Sequence, residues 1–247
     1  MTAPFPHNLE VKRAAQLGLV VLQSDETIEM DFRALLPPEI ELFVSRVPSS
    51  QQVTSETLAA MEGHLGQAAS LFPQAAKLEA VGYGCTSGSA QIGPARVADL
   101  IKGATQTKAV TNPLSALVAA CRHLGVTRLG MLSPYIAQVS QRLQEALADE
   151  GIDTPVFGSF DVAEEARVVR IDTQSIITAA EALAQTGGID ALFLSCTNLR
   201  TLAAIAPLEA QLGLPVLSSN QVLAWHMLRK TGQSAALSAP GQLFKTP

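Results

Sequence analysis

The sequence predicts an α/β protein of two similar lobes built on parallel sheets, and three observations carry that expectation. Short apolar runs, Leu78 to Tyr83 and Ile189 to Leu194 among them, are bounded by turn residues and followed by helical patterns, as buried parallel strands are. Landmarks recur at nearly one offset: Gly18 and Gly130 lie 112 residues apart, Cys85 and Cys196 lie 111, and Asn112 and Asn220 lie 108. Each of these two cysteines ends its strand in similar company, Gly84-Cys85-Thr86-Ser87-Gly88-Ser89 in one half and Ser195-Cys196-Thr197-Asn198 in the other. Ligands of open α/β sheets bind at the carboxyl ends of the strands. Lobes that face each other therefore bring both thiols to one cleft.

Taken in order, residues 1 to 15 are polar with two prolines and read as an arm lying on the surface or on a partner subunit. Gly18 to Leu22 is the first strand. Ile28 to Leu36 has a helical pattern that Pro37 and Pro38 stop. Ile40 to Val47 alternates apolar and polar residues and reads as a strand. Thr54 to Ala76 reads as one long amphipathic helix with Leu58, Met61, Leu65, Ala69 and Phe72 on its buried face. The first cysteine strand follows, then a helix from about Pro94 to Ile101 and a strand over Thr107 to Thr111. Asn112-Pro113 caps the next helix, which Gly125 stops.

In the second half, strands are expected over Leu129 to Leu132 and Val156 to Phe160, with a helix from Ile136 to Glu150 between them. A charged loop covers 161–170 and an Ala-rich helix Thr173 to Gln185. After the second cysteine strand come a helix from about Thr201 to Leu212, a strand over Leu214 to Leu217, a last helix over Gln221 to Lys230, and a weakly specified tail. The division expected is a first lobe of 1–111 with 221–247 and a second of 112–220.

Composition narrows the function. The chain has 247 residues, 47% hydrophobic and 16% charged, with a net charge of −5. No basic run is present, which argues against nucleic acid as a partner. Neither a secretory h-region nor an 18-residue apolar stretch is found, so the expectation is a cytoplasmic protein that does not enter membranes. Three cysteines do not make a disulfide framework, and free thiols suit a reducing compartment.

Cys85 and Cys196 are the candidate catalytic groups. A lone cysteine is most often inert core, and Cys121, mid-helix in LVAACRHL, fits that reading. The other two each end a strand before residues suited to capping a helix, Thr86, Ser87 and Ser89 or Thr197 and Asn198. Unpaired amides and the helix dipole there favour a thiolate, lowering its pKa, and suit a carboxylate ligand. Other chemistries are weaker. Gly82-x-Gly84 lacks the third glycine of a dinucleotide loop. The four histidines are scattered, and His226 reads as a packed helix residue. No His/Cys/Asp cluster has metal-ligand spacing, so no metal site is expected. Tyr135, following Ser133-Pro134, is as readily surface decoration as an oxyanion donor, and Arg200 reads as a solvated helix residue.

The stretches QSDETIE, GYGCTSGSAQIG, SPY, SCTNLRT and SSNQ resemble the maleate cis-trans isomerase and arylmalonate decarboxylase branch of the Asp/Glu racemase superfamily, from Gly18 to Lys230. The resemblance implies two flavodoxin-like three-layer lobes, related by a pseudo-two-fold axis, that hold a small carboxylate in their cleft without cofactor or metal. It implies Cys85 and Cys196 as the catalytic pair, with Ser24, Asp25, Thr86, Ser87, Tyr135, Glu165, Thr197 and Asn198 around the substrate. It also implies a homo-oligomer. Single-cysteine decarboxylases of this branch have glycine where this chain has Cys85, so the match is to the two-cysteine isomerases and racemases. Asp25 and Glu165 stand where maleate isomerases carry asparagine. Two carboxylates repel a dianion such as maleate and favour a substrate with an ammonium or amidinium group. The LQSDETIEMDFRALLPP opening is similar to the ectoine-utilisation protein A type, which implies an amino-acid-like substrate. The reaction expected is an isomerisation or racemisation through an ene-diolate. The alternatives are an arylmalonate-type decarboxylase or a non-catalytic sensor of small carboxylates.

Overall fold

The computed structural model describes residues 4–10, 13–235 and 238–246. The first half runs β1 (Gln16–Leu22), α1 (Ile28–Leu35), β2 (Glu41–Val47), α2 (Ser55–Ala60), α3 (Glu62–Ser70), β3 (Leu78–Gly84), α4 (Thr86–Ile92), α5 (Pro94–Ala104) and β4 (Thr107–Thr111). Then come α6 (Pro113–Leu124), β5 (Arg128–Ser133), α7 (Ala137–Ala148), β6 (Asp153–Ser159), α8 (Glu165–Val168), α9 (Thr173–Gln185), β7 (Ala191–Leu194), α10 (Leu202–Leu212), β8 (Val216–Ser218) and α11 (Ser219–Thr231). A 3-10 turn over Gln242–Phe244 follows.

The strands form two four-stranded parallel sheets of the same order, β2-β1-β3-β4 and β6-β5-β7-β8. Each sheet therefore has its switch point between its first and third strands, β1 and β3 or β5 and β7. Connections leave that point in opposite directions and open a crevice at the carboxyl ends. The loops at those four ends hold Asp25, Cys85, Tyr135 and Cys196. One continuous apolar core runs from Val20, Val81 and Tyr83 through Cys85 and Cys196 to Leu132, Leu192 and Leu194. Helix α11 is buried on both flanks, with Leu223 and Met227 against the β1 side and Val222 and Trp225 against the β5 side. His226 on this helix bonds Thr111 Oγ1 through Nδ1 at 2.8 Å, and burial pushes its pKa down to about 4.

Several expectations need correction. The helix expected over Thr54 to Ala76 is two helices meeting at Met61, and it stops at Ser70. Pro73 disfavours helical geometry at Phe72, and Gly63 and Gly66 weaken α3 throughout. The expected buried face is nonetheless buried. Strand β6 begins three residues earlier than expected. The charged loop over 161–170 contains the short helix α8. Of the N-terminal arm, residues 1–3 and 11–12 lie outside the described residues, and 4–10 are exposed, Phe5 and Leu9 included. Ala236 and Leu237 of the tail also lie outside them. No helix among the described residues is long and apolar enough to cross a membrane.

The Asn112 cap forms as the sequence implies. Its side chain accepts the Ser115 N–H at 3.0 Å, Pro113 follows, and Gly125 ends α6 in the left-handed region. Asn112→Ala should lower the free energy of unfolding by about 1 kcal/mol in urea denaturation, whereas Asn112→Asp should keep most of it.

Candidate active site

Cys85 ends β3 and caps α4 itself. Its Sγ accepts the Gly88 N–H at 3.2 Å, so the thiol takes the place expected for Thr86, Ser87 or Ser89. A Cβ at Gly88 would lie 2.6 Å from Tyr83 Oη and 2.9 Å from Cys85 Sγ, so only glycine leaves room for both. Cys196 behaves differently. No helix starts at this corner; the chain bends through 197–199, and α10 begins only at Leu202 behind Thr201. Thr197 and Asn198 therefore cap nothing. Cys196 has φ of 102°, a strained region for a residue with a Cβ, which persists only where neighbours over-determine it. Here its amide donates to Ser219 Oγ at 2.9 Å, and its sulfur accepts the Asn198 N–H at 3.3 Å.

Both cysteines line one cavity with Leu22, Leu58, Thr86, Ser87, Tyr135, Glu165 and Thr197. Its free space is about 10 Å³, the lower limit for a single water. Next to Glu165, loops of the two halves are joined: Val53 N donates to Ala163 O and Glu165 N to Gln51 O, both at 3.0 Å. A larger cavity of about 670 Å³ lies at the opposite, N-terminal ends of β3 and β4. It is lined by Lys77, Lys102 and Lys108 and contains neither cysteine nor any other candidate site residue.

Seven of the ten candidate site residues line the cysteine cavity, and the other three stand behind it. Asn198 donates through Nδ2 to Glu165 Oε2 at 2.6 Å and accepts the Glu26 N–H at 2.9 Å. Ser24 pairs with Ser49, their hydroxyls 3.1 Å apart. Asp25 Oδ1 accepts the amides of Thr27 and Ile28, each at 2.8 Å, at the start of α1. Its Oδ2 is buried without a hydrogen-bond partner among the described residues. The Thr197 hydroxyl lies close enough to favour the Asp25 carboxylate but gives its proton to Gly84 O at 3.2 Å. Arg46, from β2, holds this loop by donating to the carbonyls of Leu22, Gln23 and Asp25. Arg200 is exposed and sits in a loop rather than a helix.

Electrostatics reverses the expectation for the sulfurs. Burial pushes the Cys85 thiol up to about 12, and it pushes Cys196 well above its ordinary value. The amides of Gly88 and Asn198 pull the other way and lose, while Glu165 and Asp25 add like charge. Both carboxyls are themselves raised, again chiefly by burial. A helix end stabilises a thiolate only to the extent that water or a cation shares the work. Cys121 is buried in α6, also raised to about 12, and touches none of this. No group of three or more His, Cys, Asp or Glu among the described residues is placed to hold a metal.

Sequence reasoning missed three groups. Tyr83 lies two residues before Cys85 and therefore shares its face of the strand, a period that could have revealed it; its phenol opposes the rise of the Cys85 pKa. Ser219 accepts both the Thr86 hydroxyl at 2.7 Å and the Cys196 amide, so one oxygen ties the two cysteine corners. Asn220 donates to Thr197 O and to Asp31 Oδ2, each at 2.8 Å.

A family model described as arylmalonate decarboxylase matches residues 17–244. A maleate isomerase of Nocardia farcinica is 27% identical over 241 residues, covering 93% of this chain and 95% of that protein. A solved variant of N. farcinica maleate cis-trans isomerase with a covalently bound succinylcysteine intermediate superposes with a TM-score of 0.82 at 25% identity, over 95% of this chain and 99% of that one. A liganded double mutant of arylmalonate decarboxylase superposes with a TM-score of 0.85 at 26% identity, over 95% and 100%.

Two outcomes follow from the site's supports. Ser219→Ala leaves two buried donors without an acceptor and should cost about 1–3 kcal/mol of stability in urea denaturation. Burial raises the Asp31 carboxyl from its ordinary 3.8 to about 6, with the Asn220 amide opposing. The folded state thus holds this proton more tightly than the unfolded chain. Stability from this group is complete below about pH 4 and is lost as pH rises through about 6. Asp31→Asn should abolish that loss and be more stable at pH 7 by on the order of 2 kcal/mol, measured by denaturation across this range.

Proposed function

The chain belongs to the arylmalonate decarboxylase family, and from that premise we propose a cofactor-independent isomerase or racemase of a small, amino-acid-like carboxylate. The observation that carries this reading is the pair of sulfurs in one small cavity. The lobes, 1–111 with 221–247 and 112–220, close on the substrate from opposite sides. One sulfur takes the proton from the carbon next to the carboxylate, and the other delivers a proton to the opposite face. The ene-diolate between these steps carries its charge on the carboxylate oxygens. The amides of Thr86 and Ser87, which precede the hydrogen-bond ladder of α4, and the Ser87 hydroxyl are suited to receive it. The Thr86 and Thr197 hydroxyls already donate to Ser219 and Gly84, so they present lone pairs rather than protons.

Asp25 supports the choice of a cation-bearing substrate. Its carboxyl stands behind the cavity with Oδ2 buried and unpartnered among the described residues, and a cationic group in the cavity offsets its charge where a second carboxylate adds to it. The covalent succinylcysteine of the N. farcinica enzyme belongs to a route in which sulfur adds to a double bond. An amino-acid-like substrate with a single acidic C–H favours proton transfer instead. The similarity to the ectoine-utilisation type and a homo-oligomeric state belong to this same proposal.

A panel of small acids and cationic amino acids incubated in deuterated water, followed by NMR, tests it. Exchange at the carbon next to the carboxylate with loss of optical activity is expected, and release of carbon dioxide instead would make the protein a decarboxylase. Cys85→Ala and Cys196→Ala should each lower turnover by about 10²–10⁴-fold. Near-normal turnover in either variant overturns the paired mechanism. Asp25→Asn should shift preference towards maleate over a cationic substrate by about tenfold or more.

A further inference from the structure

A two-sulfur mechanism needs one ionised and one protonated sulfur, yet burial raises both thiols and the closed cavity has room for at most about one water. The thiolate must therefore be made by a group inside the cavity. We propose that Glu165, acting through the Tyr135 hydroxyl, removes the proton of Cys196 and so makes Cys196 the starting base and Cys85 the starting acid. This rests on the reading above and adds a direction to it.

Tyr135 Oη lies 2.6 Å from Glu165 Oε1 and 3.0 Å from Cys196 Sγ. An ionised Glu165 only accepts, and its other oxygen already accepts from Asn198 Nδ2. The single phenolic proton therefore points at Glu165, and the remaining contact is filled by Cys196 S–H donating to Oη. Two short transfers reverse the row. The Sγ–H bond breaks as a new Oη–H bond forms, and the old Oη–H bond breaks as Oε1–H forms. The negative charge moves from Glu165 to Cys196, tyrosine is neutral at both ends, and the site's total charge is unchanged. The thiolate so formed keeps the Tyr135 hydroxyl and the Asn198 amide as donors. Cys85 has no such outlet. Its neighbour Tyr83 has one phenolic proton for the Cys85 sulfur or for Met61 Sδ, 3.8 Å away, and the thioether is a weak acceptor that takes up no proton. The other titratable groups facing the pair are Asp25, from the loop after β1, and Cys85 itself.

Iodoacetamide reports the thiolate at each cysteine separately when the labelled peptides are quantified by mass spectrometry. In the wild type, Cys196 labelling should depend only weakly on pH between about 6 and 8, because the proton exchanges with Glu165 rather than with water. In Glu165→Gln the amide accepts the phenolic hydrogen bond but not the proton. Cys196 should then label more slowly at pH 6–7 and climb about tenfold per pH unit. Cys85 should label faster in the same variant, since a like charge has gone. Opposite changes at the two sulfurs are the signature of transfer; faster labelling at both means that Glu165 merely repels charge, and overturns the proposal. Tyr135→Phe keeps the charge and cuts the row, so it should slow Cys196 and leave Cys85 unaltered. Should Glu165→Gln not fold, unchanged Cys196 labelling in Tyr135→Phe alone overturns the proposal. No substrate enters these measurements, so a failed turnover panel counts against the proposed reaction and not against the relay.

Discussion

The Ser219 hydroxyl is the contact on which the site geometry depends. It accepts from Thr86, the residue after one cysteine, and from the amide of the other cysteine. A single oxygen thus fixes the separation of two corners that belong to different sheets. It can do so because α11 starts directly after β8 and is buried against both halves, so its first turn cannot shift. The Ser218–Gln221 capping box holds that turn, and Asn220 extends the hold to the Thr197 carbonyl. The same constraint accounts for the strained backbone at Cys196. A φ of 102° costs on the order of 1–3 kcal/mol, which the bonds to Ser219 and from Asn198 offset.

Closure and charge work together at these corners. A helix end with free amides ordinarily lowers a thiol's pKa by stabilising its charged form. Here the sulfurs are all but fully buried, and the loss of hydration outweighs one amide bond to each. Two carboxylates within reach of both sulfurs push in the same direction. The site therefore rests with neutral thiols and holds its negative charge on carboxylates. That is a stable resting state, and it resists the oxidation to which exposed thiolates are prone.

What the sequence made legible follows from what is local. The strands could be read because buried parallel strands are short apolar runs between turn residues. The Asn112-Pro113 start and Gly125 stop of α6 are local backbone chemistry, and they form as expected. The repeat at 108 to 112 residues anticipated two sheets of one topology, which in turn brought Cys85 and Cys196 to one cavity. What was illegible depends on residues distant in the chain. Helix α8 is polar, and Glu165 is buried only because Tyr135 and Asn198 meet it from elsewhere in the fold. Ser219 looks like any small residue at a helix start. The sign of the cysteine shifts could not be read either, since a sequence shows a helix end but not how deeply it is buried. The break at Met61 belongs with these, because a helical period continues through it.

Like strand orders place a cysteine at the end of the third strand of each sheet, and the chain's two tyrosines stand one beside each sulfur. Were the surroundings equal as well, neither sulfur would be distinguished, and a chiral substrate would meet an acid and a base at random. They are not equal. One tyrosine faces a thioether and the other a carboxylate. A thioether accepts a hydrogen bond weakly and takes up no proton at any ordinary pH, whereas a buried carboxyl with a raised pKa takes one readily. Two sulfurs in like positions thus differ in the one respect that two-base chemistry requires, and the difference lies in what each neighbouring phenol can hand its proton to.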